Sequence, residues 1–335
     1  MTTNPTESIR PTIITEISAG MSRIFALKAA MELDLFTPLR DGPLSTEQLA
    51  KVAGVDAGKL GLLLYVLVFL GLLEVKDEKF SNSPEAQRFL VKGGPGYMGA
   101  AQRVWGEMLE AMFKTAESVR TGLAQGKMDY AAMSQERLNN VIRGLLPGAK
   151  TAGRALAGAY DFSVYRTMLD VGGGSGGLAL AITEVCPHLT VTVVDLPNVT
   201  PITQSIIDEA GAGSRVRVKT ADVLAEPLVG SYEAAVMRFV TQVLGAEENA
   251  RALAHLAQGI RPGGVVYLVA HVLDDSRLAP RPAVMTNLTF LNIYDGGQSY
   301  TESEYRRWLN DAGFEDVRRT GLPDGSSVII ARRRA

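Results

Sequence analysis

In 335 residues the chain has one cysteine, Cys186, three histidines and two tryptophans. A single thiol excludes an internal disulfide framework and a cysteine-ligated zinc site, and it suits a reducing compartment. Cys186 is expected as a packed core thiol, and no metal is expected. Long apolar runs are also missing: the longest, from Leu60 to Leu73, is too short to span a bilayer, and the opening MTTNPTESIRPTIITEIS has no apolar core of signal-peptide length. The expectation is a soluble, cytoplasmic protein without a membrane partner. Charge of either sign is not in excess. With 34 Lys and Arg against 36 Asp and Glu the net charge is −2, so bulk electrostatics give no reason to bind nucleic acid. A chain of this length suggests two domains and a small-molecule partner.

Against these absences stands one dense stretch, TMLDVGGGSGG at 167–177, which reads as a short apolar strand breaking into a glycine loop that opens a helix, LALAIT. Gly172, Gly174 and Gly176 can take positive φ and let a ligand approach the main chain. Gly172, Gly174 and Gly177 also satisfy the dinucleotide spacing G-x-G-x-x-G. Asp170 argues against that ligand, because a carboxylate two residues before the first glycine repels a pyrophosphate and attracts a ligand carrying sulfonium and ammonium groups. That ligand is S-adenosylmethionine. Asp195, ending VTVVD, is placed to accept both ribose hydroxyls, and Asp222 lies where the third strand ends, within reach of an adenine amino group.

The segment from 11 to 40 reads as a helix, stopped by Pro38 and Gly42 and suited to an interface. Ser45, with Gln48 three residues on, reads as the N-cap of a second helix, and a third ends near Gly71. LLEVKDEKFSNS completes a β-ribbon, so the three pieces spell a winged helix. That fold is common on DNA, but the third helix offers only Lys59 in a field of apolar residues and lacks the side chains that read base edges. Packing and dimerisation are the better assignment. From 95 to 165 the pattern is helical, with Gly122, Gly126, Pro147 and Gly148 as breakers, and Trp105, Tyr130 and Arg143 are candidates for a substrate-cleft roof. From Thr167 onward strands and helices alternate, with IRPGG preceding the strand VVYLVAHVL, a helix over ESEYRRWLNDAGF and a closing pair of strands. The expected boundaries are 1–100 for the winged helix, 101–160 for the helical linker and 161–335 for a Rossmann-like domain, an α/β fold behind a mainly helical one.

Seven pieces in this order, MELDLF, LLLYVLVFLGLLEV, YDFSVYRTMLDVGGGSGG, VVDLPNV, the Asp222 strand end, IRPGG and GGQSYTESEYRRWLNDAGF, carry a resemblance over nearly the whole chain. It resembles the plant caffeic-acid-type O-methyltransferases and their bacterial secondary-metabolite relatives. The resemblance implies a homodimer through the N-terminal domain. It also implies S-adenosylmethionine held by Gly172, Gly174, Asp195, Asp222 and Met237 or Arg238, and Asp170, Gly176, Leu196 and Val223 are expected beside them in the cofactor site.

One departure from that family falls where the chemistry belongs. The family reads L-K-x-x-L-H-D-W after its fourth strand, the histidine taking the acceptor's proton; here the residues are Met237 to Leu244, and the base is replaced by Gln242. Two flanking carboxylates fall on His271 and Ser299. An amide takes no proton at neutral pH. A thioether acceptor needs no base, since its sulfur lone pair attacks directly, and Phe239, Phe290, Tyr294 and Tyr300 can stabilise the sulfonium product with their π faces. The expectation favours a small thioether acid of the 4-methylthio-2-hydroxybutyrate kind, as in the bacterial S-methyltransferases of dimethylsulfoniopropionate synthesis, which also lack the base. O-methylation of a phenolic or polyketide-type metabolite with His271 as base is the alternative, followed by carbon or nitrogen methylation and by binding of the cofactor without methyl transfer. If the acceptor is a thioether, His271 and Gln242 only position it. His188 and His255 are expected far from the strand ends.

Overall fold

The computed structural model describes residues 10–94, 96–322 and 325–335, and for 100–105 and 107 the backbone alone. The chain divides into two compact units, Met1–Gly106 and Glu107–Ala335.

The first unit runs α1 (Thr12–Glu32), β1 (Leu44–Ser45), α2 (Thr46–Ala53), α3 (Ala57–Phe69), β2 (Leu73–Lys76), β3 (Lys79–Asn82), α4 (Pro84–Phe89) and the start of α5 (Gly99–Met112). Ser45 caps α2 as its sequence signature predicts: its hydroxyl accepts from the Gln48 N–H, while the Gln48 amide oxygen accepts from the Ser45 N–H. The sheet, ordered β1-β3-β2, is the ribbon of a winged helix. Its core gathers Leu35, Phe36, Leu49, Leu64, Leu67 and Phe80, all but excluded from solvent. The helix expected over 11–40 ends at Glu32. Asp34 takes φ +53°, which stops the helix, and the proline expected to do so instead opens a separate 3-10 turn at Pro38–Asp41. On α1, Ile13, Ile14 and Ile17 are each about 70% exposed (72%, 69% and 71%), with Met21 and Ile24 following on the same helix.

The second unit continues with α6 (Thr115–Thr121), α7 (Gln135–Ala159), β4 (Thr167–Val171), α8 (Gly177–Val185), β5 (Thr190–Asp195), α9 (Thr200–Glu209), β6 (Val216–Thr220), β7 (Tyr232–Arg238), α10 (Ala246–Gly259), β8 (Ile260–Ala270), α11 (Arg281–Ile293), α12 (Glu302–Asp311), β9 (Phe314–Gly321) and β10 (Ser327–Arg333). The sheet is ordered β6-β5-β4-β7-β8-β10-β9, parallel through β8, with β10 antiparallel to both its neighbours. Strand order reverses between β4 and β7, so the crevice that binds ligands in such sheets opens at the carboxyl ends of these two strands. This is the Rossmann-like arrangement expected from the alternation.

Three local expectations change. Pro147 and Gly148 lie inside the continuous helix α7 and do not break it. A mid-helix proline costs about 3 kcal/mol, but α7 buries Leu138, Val141, Ile142, Ala149, Gly153 and Leu156 along one face. It approaches α8 so closely that a Cβ on Gly153 would lie 2.8 Å from the Leu178 carbonyl. IRPGG joins β8 instead of preceding it, accommodated by a register shift against β7 between Tyr232 and Ala234 and by Gly263 at φ +76°. Helix α10 starts at Ala246, ahead of the expected Arg251, because the Glu248 carboxylate accepts from the Gly245 N–H at 2.8 Å.

Candidate active site

The glycine loop after β4 has the backbone its composition calls for: Gly172, Gly174 and Gly176 stand at φ +65°, +53° and +68°. Their surroundings divide the work. A Cβ on Gly172 would meet the Val240 methyl at 2.4 Å, and one on Gly176 would meet Ile207 at 3.0 Å, so these two let neighbouring segments close in. At Gly174 the nearest atom would be 3.9 Å away, which leaves that side of the loop open for a ligand. The loop is tied down by the Thr203 hydroxyl, which donates to the Gly174 carbonyl at 2.6 Å, and by Asp195, whose carboxylate accepts from the Gly174 N–H at 2.7 Å.

Asp195 also accepts from the Leu196 N–H at 2.8 Å, so the strand-end acid and the residue after it form one rigid corner. One strand further out, Asp222 accepts from the Leu224 N–H at 2.8 Å, and the Val223 carbonyl accepts from His255 Nδ1 at 2.7 Å. His255 therefore reaches the loop that follows β6, contrary to the expectation that it lies far from the strand ends. Its place on α10, which packs under that loop, is what carries it there. His188 stays remote, donating to the Ser163 carbonyl.

Asp170 is buried, and its Oδ2 has no hydrogen-bond partner. Burial first, and the charge of Asp195 second, push its carboxyl up to about 7, with Arg238 opposing. Burial raises Asp195 as well, against the N–H groups that lower it. A buried acid beside a half-buried one, countered by one arginine, makes a site that gains from a cation and disfavours a pyrophosphate. The open side at Gly174 and the orphaned oxygen of Asp170 therefore fit S-adenosylmethionine.

Across the crevice, Met237 and Arg238 end β7, and Phe239 follows at φ +57°, a conformation that costs a bulky residue about 1–3 kcal/mol unless its surroundings hold it. Three contacts do so here. The Phe239 N–H donates to the Val269 carbonyl at 2.8 Å, the Arg238 guanidinium lies 4.4 Å from the Phe239 ring centre, and His271 stacks on that ring at 5.1 Å and 12°. Phe290 lies 6.3 Å from His271 and Tyr294 5.9 Å from Phe290. The Tyr294 hydroxyl interacts with that of Tyr130, both phenols being raised by burial. Tyr130 is brought there by the strand-like pairing of its loop with the end of α11: Gly126 and Met128 donate to Asn292 and Ile293 carbonyls at 2.9 Å each. The result is a wall of five rings, from Phe239 through His271, Phe290 and Tyr294 to Tyr130. Gln242 is buried at its foot, its amide oxygen 3.5 Å from the His271 backbone nitrogen.

Other candidates lie elsewhere. Arg143 is committed to Glu209 through both terminal nitrogens, at 2.9 and 2.6 Å, and to the Ser205 hydroxyl; an α7 arginine facing α9 finds that acid before any ligand. Tyr300 is fully buried, its hydroxyl donating to the Leu244 carbonyl at 2.6 Å and its ring set edge-on to Trp308, so it is core and not pocket. Ser299 is equally buried and donates to the Ala283 carbonyl. Trp105 lies outside the described side chains. What the sequence reading missed is α11, the helix that brings Phe290 and Tyr294 to the wall. Pro280 and Pro282 at its start, followed by apolar residues at Ala283, Phe290 and Ile293, were the available signal.

Residues 105–315 match the O-methyltransferase domain family and residues 15–92 the O-methyltransferase dimerisation domain family. The chain is 33% identical over 315 residues to the tetracenomycin polyketide synthesis 8-O-methyl transferase TcmO of Streptomyces glaucescens, covering 92% of each chain. It is 30% identical to the 3-hydroxy-5-methyl-1-naphthoate 3-O-methyltransferase of Streptomyces sahachiroi, over 97% of this chain and 96% of that one. In fold it is similar to human N-acetylserotonin methyltransferase, solved with S-adenosylmethionine, with a TM-score of 0.85 over all of both chains at 23% identity.

Proposed function

The chain belongs to the O-methyltransferase family and is an S-adenosylmethionine-dependent methyltransferase of small molecules, and from that premise we propose that its acceptor is a hydroxyl on a flat, fused-ring aromatic of the polyketide type. The observation that carries this reading is the run of rings from Phe239 to Tyr130, an aromatic side to the crevice that suits a planar, uncharged acceptor. The relatives named for a polyketide and a naphthoate support it. S-adenosylmethionine, when bound, supplies a methyl carbon to an attacking lone pair and keeps the electron pair of the broken C–S bond on its sulfur. The chain's residues do the rest. Asp195 and Asp222, with the neighbouring Leu196 and Val223, hold the nucleoside, Asp170 balances its positive charge through the Gly172–Gly176 loop, and Met237 and Arg238 close the floor between donor and acceptor. The ring wall fixes the plane of the acceptor so that its oxygen stands in line, and orientation of this kind is worth several kcal/mol in a displacement.

A thioether acid is the second reading, favoured by one observation: position 242 is an amide. Incubation with S-adenosylmethionine and a panel of hydroxynaphthoates, hydroxyanthraquinones and 4-methylthio-2-hydroxybutyrate, read by mass spectrometry, separates the two. A methyl group appearing on the aromatic oxygens supports the first; methylation of the thioether alone overturns it. The dimerisation domain and the exposed isoleucines of α1 support a homodimer. Light scattering at micromolar concentration is the check, and a monomer there would contradict it.

A further inference from the structure

We propose that His255 is a positioning residue for the adenine end of the cofactor site, setting selectivity for adenine over other purines by fixing the Asp222 carboxylate. The proposal rests on the reading in which Asp222 takes the adenine amino group. The link runs through one peptide group, that between Val223 and Leu224. Its carbonyl accepts from His255 Nδ1 at 2.7 Å, and its N–H donates to Asp222 Oδ1 at 2.8 Å. A carbonyl has no proton to give, so Nδ1 carries the hydrogen. The C=O and N–H of a trans peptide point in opposite directions in one rigid plane. Holding the carbonyl therefore fixes where the N–H points, and the N–H in turn fixes the carboxylate. Leu224 takes Oδ1 and leaves Oδ2 for the amino group of a bound base.

The histidine holds more than this one peptide. The N–H groups of Ala225 and Glu226 both donate to the Asp222 carbonyl, at 3.0 and 3.1 Å, which folds the segment after β6 into a tight turn. The chain then returns to α10, where the Leu228 N–H donates to the His255 carbonyl at 3.2 Å. His255 thus meets the turn at both ends, by its side chain at Val223 and by its main chain at Leu228. The approach is close: a Cβ on Gly259, one turn further along α10, would lie 2.8 Å from the Leu228 carbonyl. The helix is itself anchored. Asn249, fully buried, donates to the Thr241 and Leu244 carbonyls at 2.8 and 3.1 Å, which pins α10 to the segment after β7. A hydrogen bond from so fixed a donor polarises the peptide it reaches and makes the Leu224 N–H a better donor to Asp222. Asp195 is held by other donors, the N–H groups of Gly174 and Leu196, so a change at 255 acts on one acid and not on both.

The test measures, by calorimetry on the full chain, the affinities of S-adenosylhomocysteine and S-inosylhomocysteine, in which the purine amino group is replaced by a carbonyl oxygen. Wild type should prefer the adenosyl compound by about tenfold or more, because the carboxylate that accepts from the amino group faces an oxygen in the other. Asp222→Asn should erase that preference. His255→Phe keeps the ring volume and removes the donor, and it should cut the ratio of affinities about fivefold. It should raise the S-adenosylmethionine KM by a similar factor and move kcat by less than about twofold. His255→Asn, whose amide nitrogen falls near the Nδ1 position, should restore most of the ratio. If His255→Phe weakens both compounds equally, or if His255→Asn behaves like His255→Phe, the histidine only packs and the proposal is wrong, while the Asp222 reading stands. If wild type binds the two compounds equally, Asp222 does not take the amino group, and the proposal falls with that reading. Should His255→Phe not fold, His255→Gln, whose amide nitrogen falls at the Nε2 position and misses the Val223 carbonyl, is judged in its place by the same ratio.

Discussion

The two sides of the crevice differ in the chemistry they present. On the proposed reading, the cofactor side, built on β4, β5 and β6, uses the carboxylates of Asp170, Asp195 and Asp222 and bare backbone; the acceptor side, built on β7, β8 and α11, uses rings. A ligand that never changes can be met by a few charges at fixed strand ends, because each strand end places its acid within one strand spacing of the next. An acceptor is met by shape, and shape is assembled from segments far apart in the chain. Damage on the cofactor side should therefore appear in S-adenosylmethionine affinity, and damage on the acceptor side in acceptor KM.

The sharpest test is Gly172→Ala. It places a Cβ 2.4 Å from Val240 at φ +65°, combining overpacking of about 1–3 kcal/mol with a left-handed residue at about 1–2 kcal/mol. Cofactor binding should be lost, and the melting temperature should fall. Gly211→Ala, at φ +62° with nothing within 4 Å, isolates the backbone part. Equal losses from the two changes would mean that the contact with Val240 does not matter.

Next in size, Asp195→Ala should weaken S-adenosylmethionine by about 1–3 kcal/mol through loss of charge-assisted hydrogen bonds, with acceptor KM unchanged. Tight NADH binding in place of the methyl donor would sink the cofactor assignment altogether.

A smaller effect is expected from pH. The carboxyl of Asp170 moves from 3.8 in the unfolded chain to about 7 in the ligand-free fold. The native state thus holds a proton the unfolded chain has released, and the stability of the free enzyme should fall as pH rises between these values. A bound cation favours the carboxylate, so affinity should rise with pH up to about 7, with proton release measurable by calorimetry in buffers of different ionisation enthalpy. Asp170→Asn should flatten that dependence; an unaltered slope would place the titration elsewhere.

The smallest effect should come from Tyr294→Phe, which removes the hydroxyl facing Tyr130 and leaves the ring. Acceptor KM should change by about 0.5–1.5 kcal/mol, with cofactor affinity untouched. A change confined to the cofactor would show that the Tyr130–Tyr294 pair belongs to the other side of the crevice.

By itself the sequence determined the glycine loop and the acids at the strand ends. Gly172, Gly174, Asp170, Asp195 and Asp222 are legible because turn chemistry and strand ends are local: a glycine at positive φ and an acid at the last residue of an apolar run need no knowledge of what lies across the sheet. The Ser45 cap and the strand alternation are local in the same sense. Only the tertiary structure decided the surroundings of the aromatic and charged residues beyond that loop. It turned Arg143 toward Glu209, sank Tyr300 into the core and brought His255 to Val223. It also kept α7 helical through Pro147 and carried Phe290 on an unforeseen helix to meet His271 and Phe239. An aromatic or an arginine reads the same in sequence whether it packs, pairs or waits for a ligand, and which of these it does depends on the neighbour that arrives first, which for these residues lies tens of positions away along the chain.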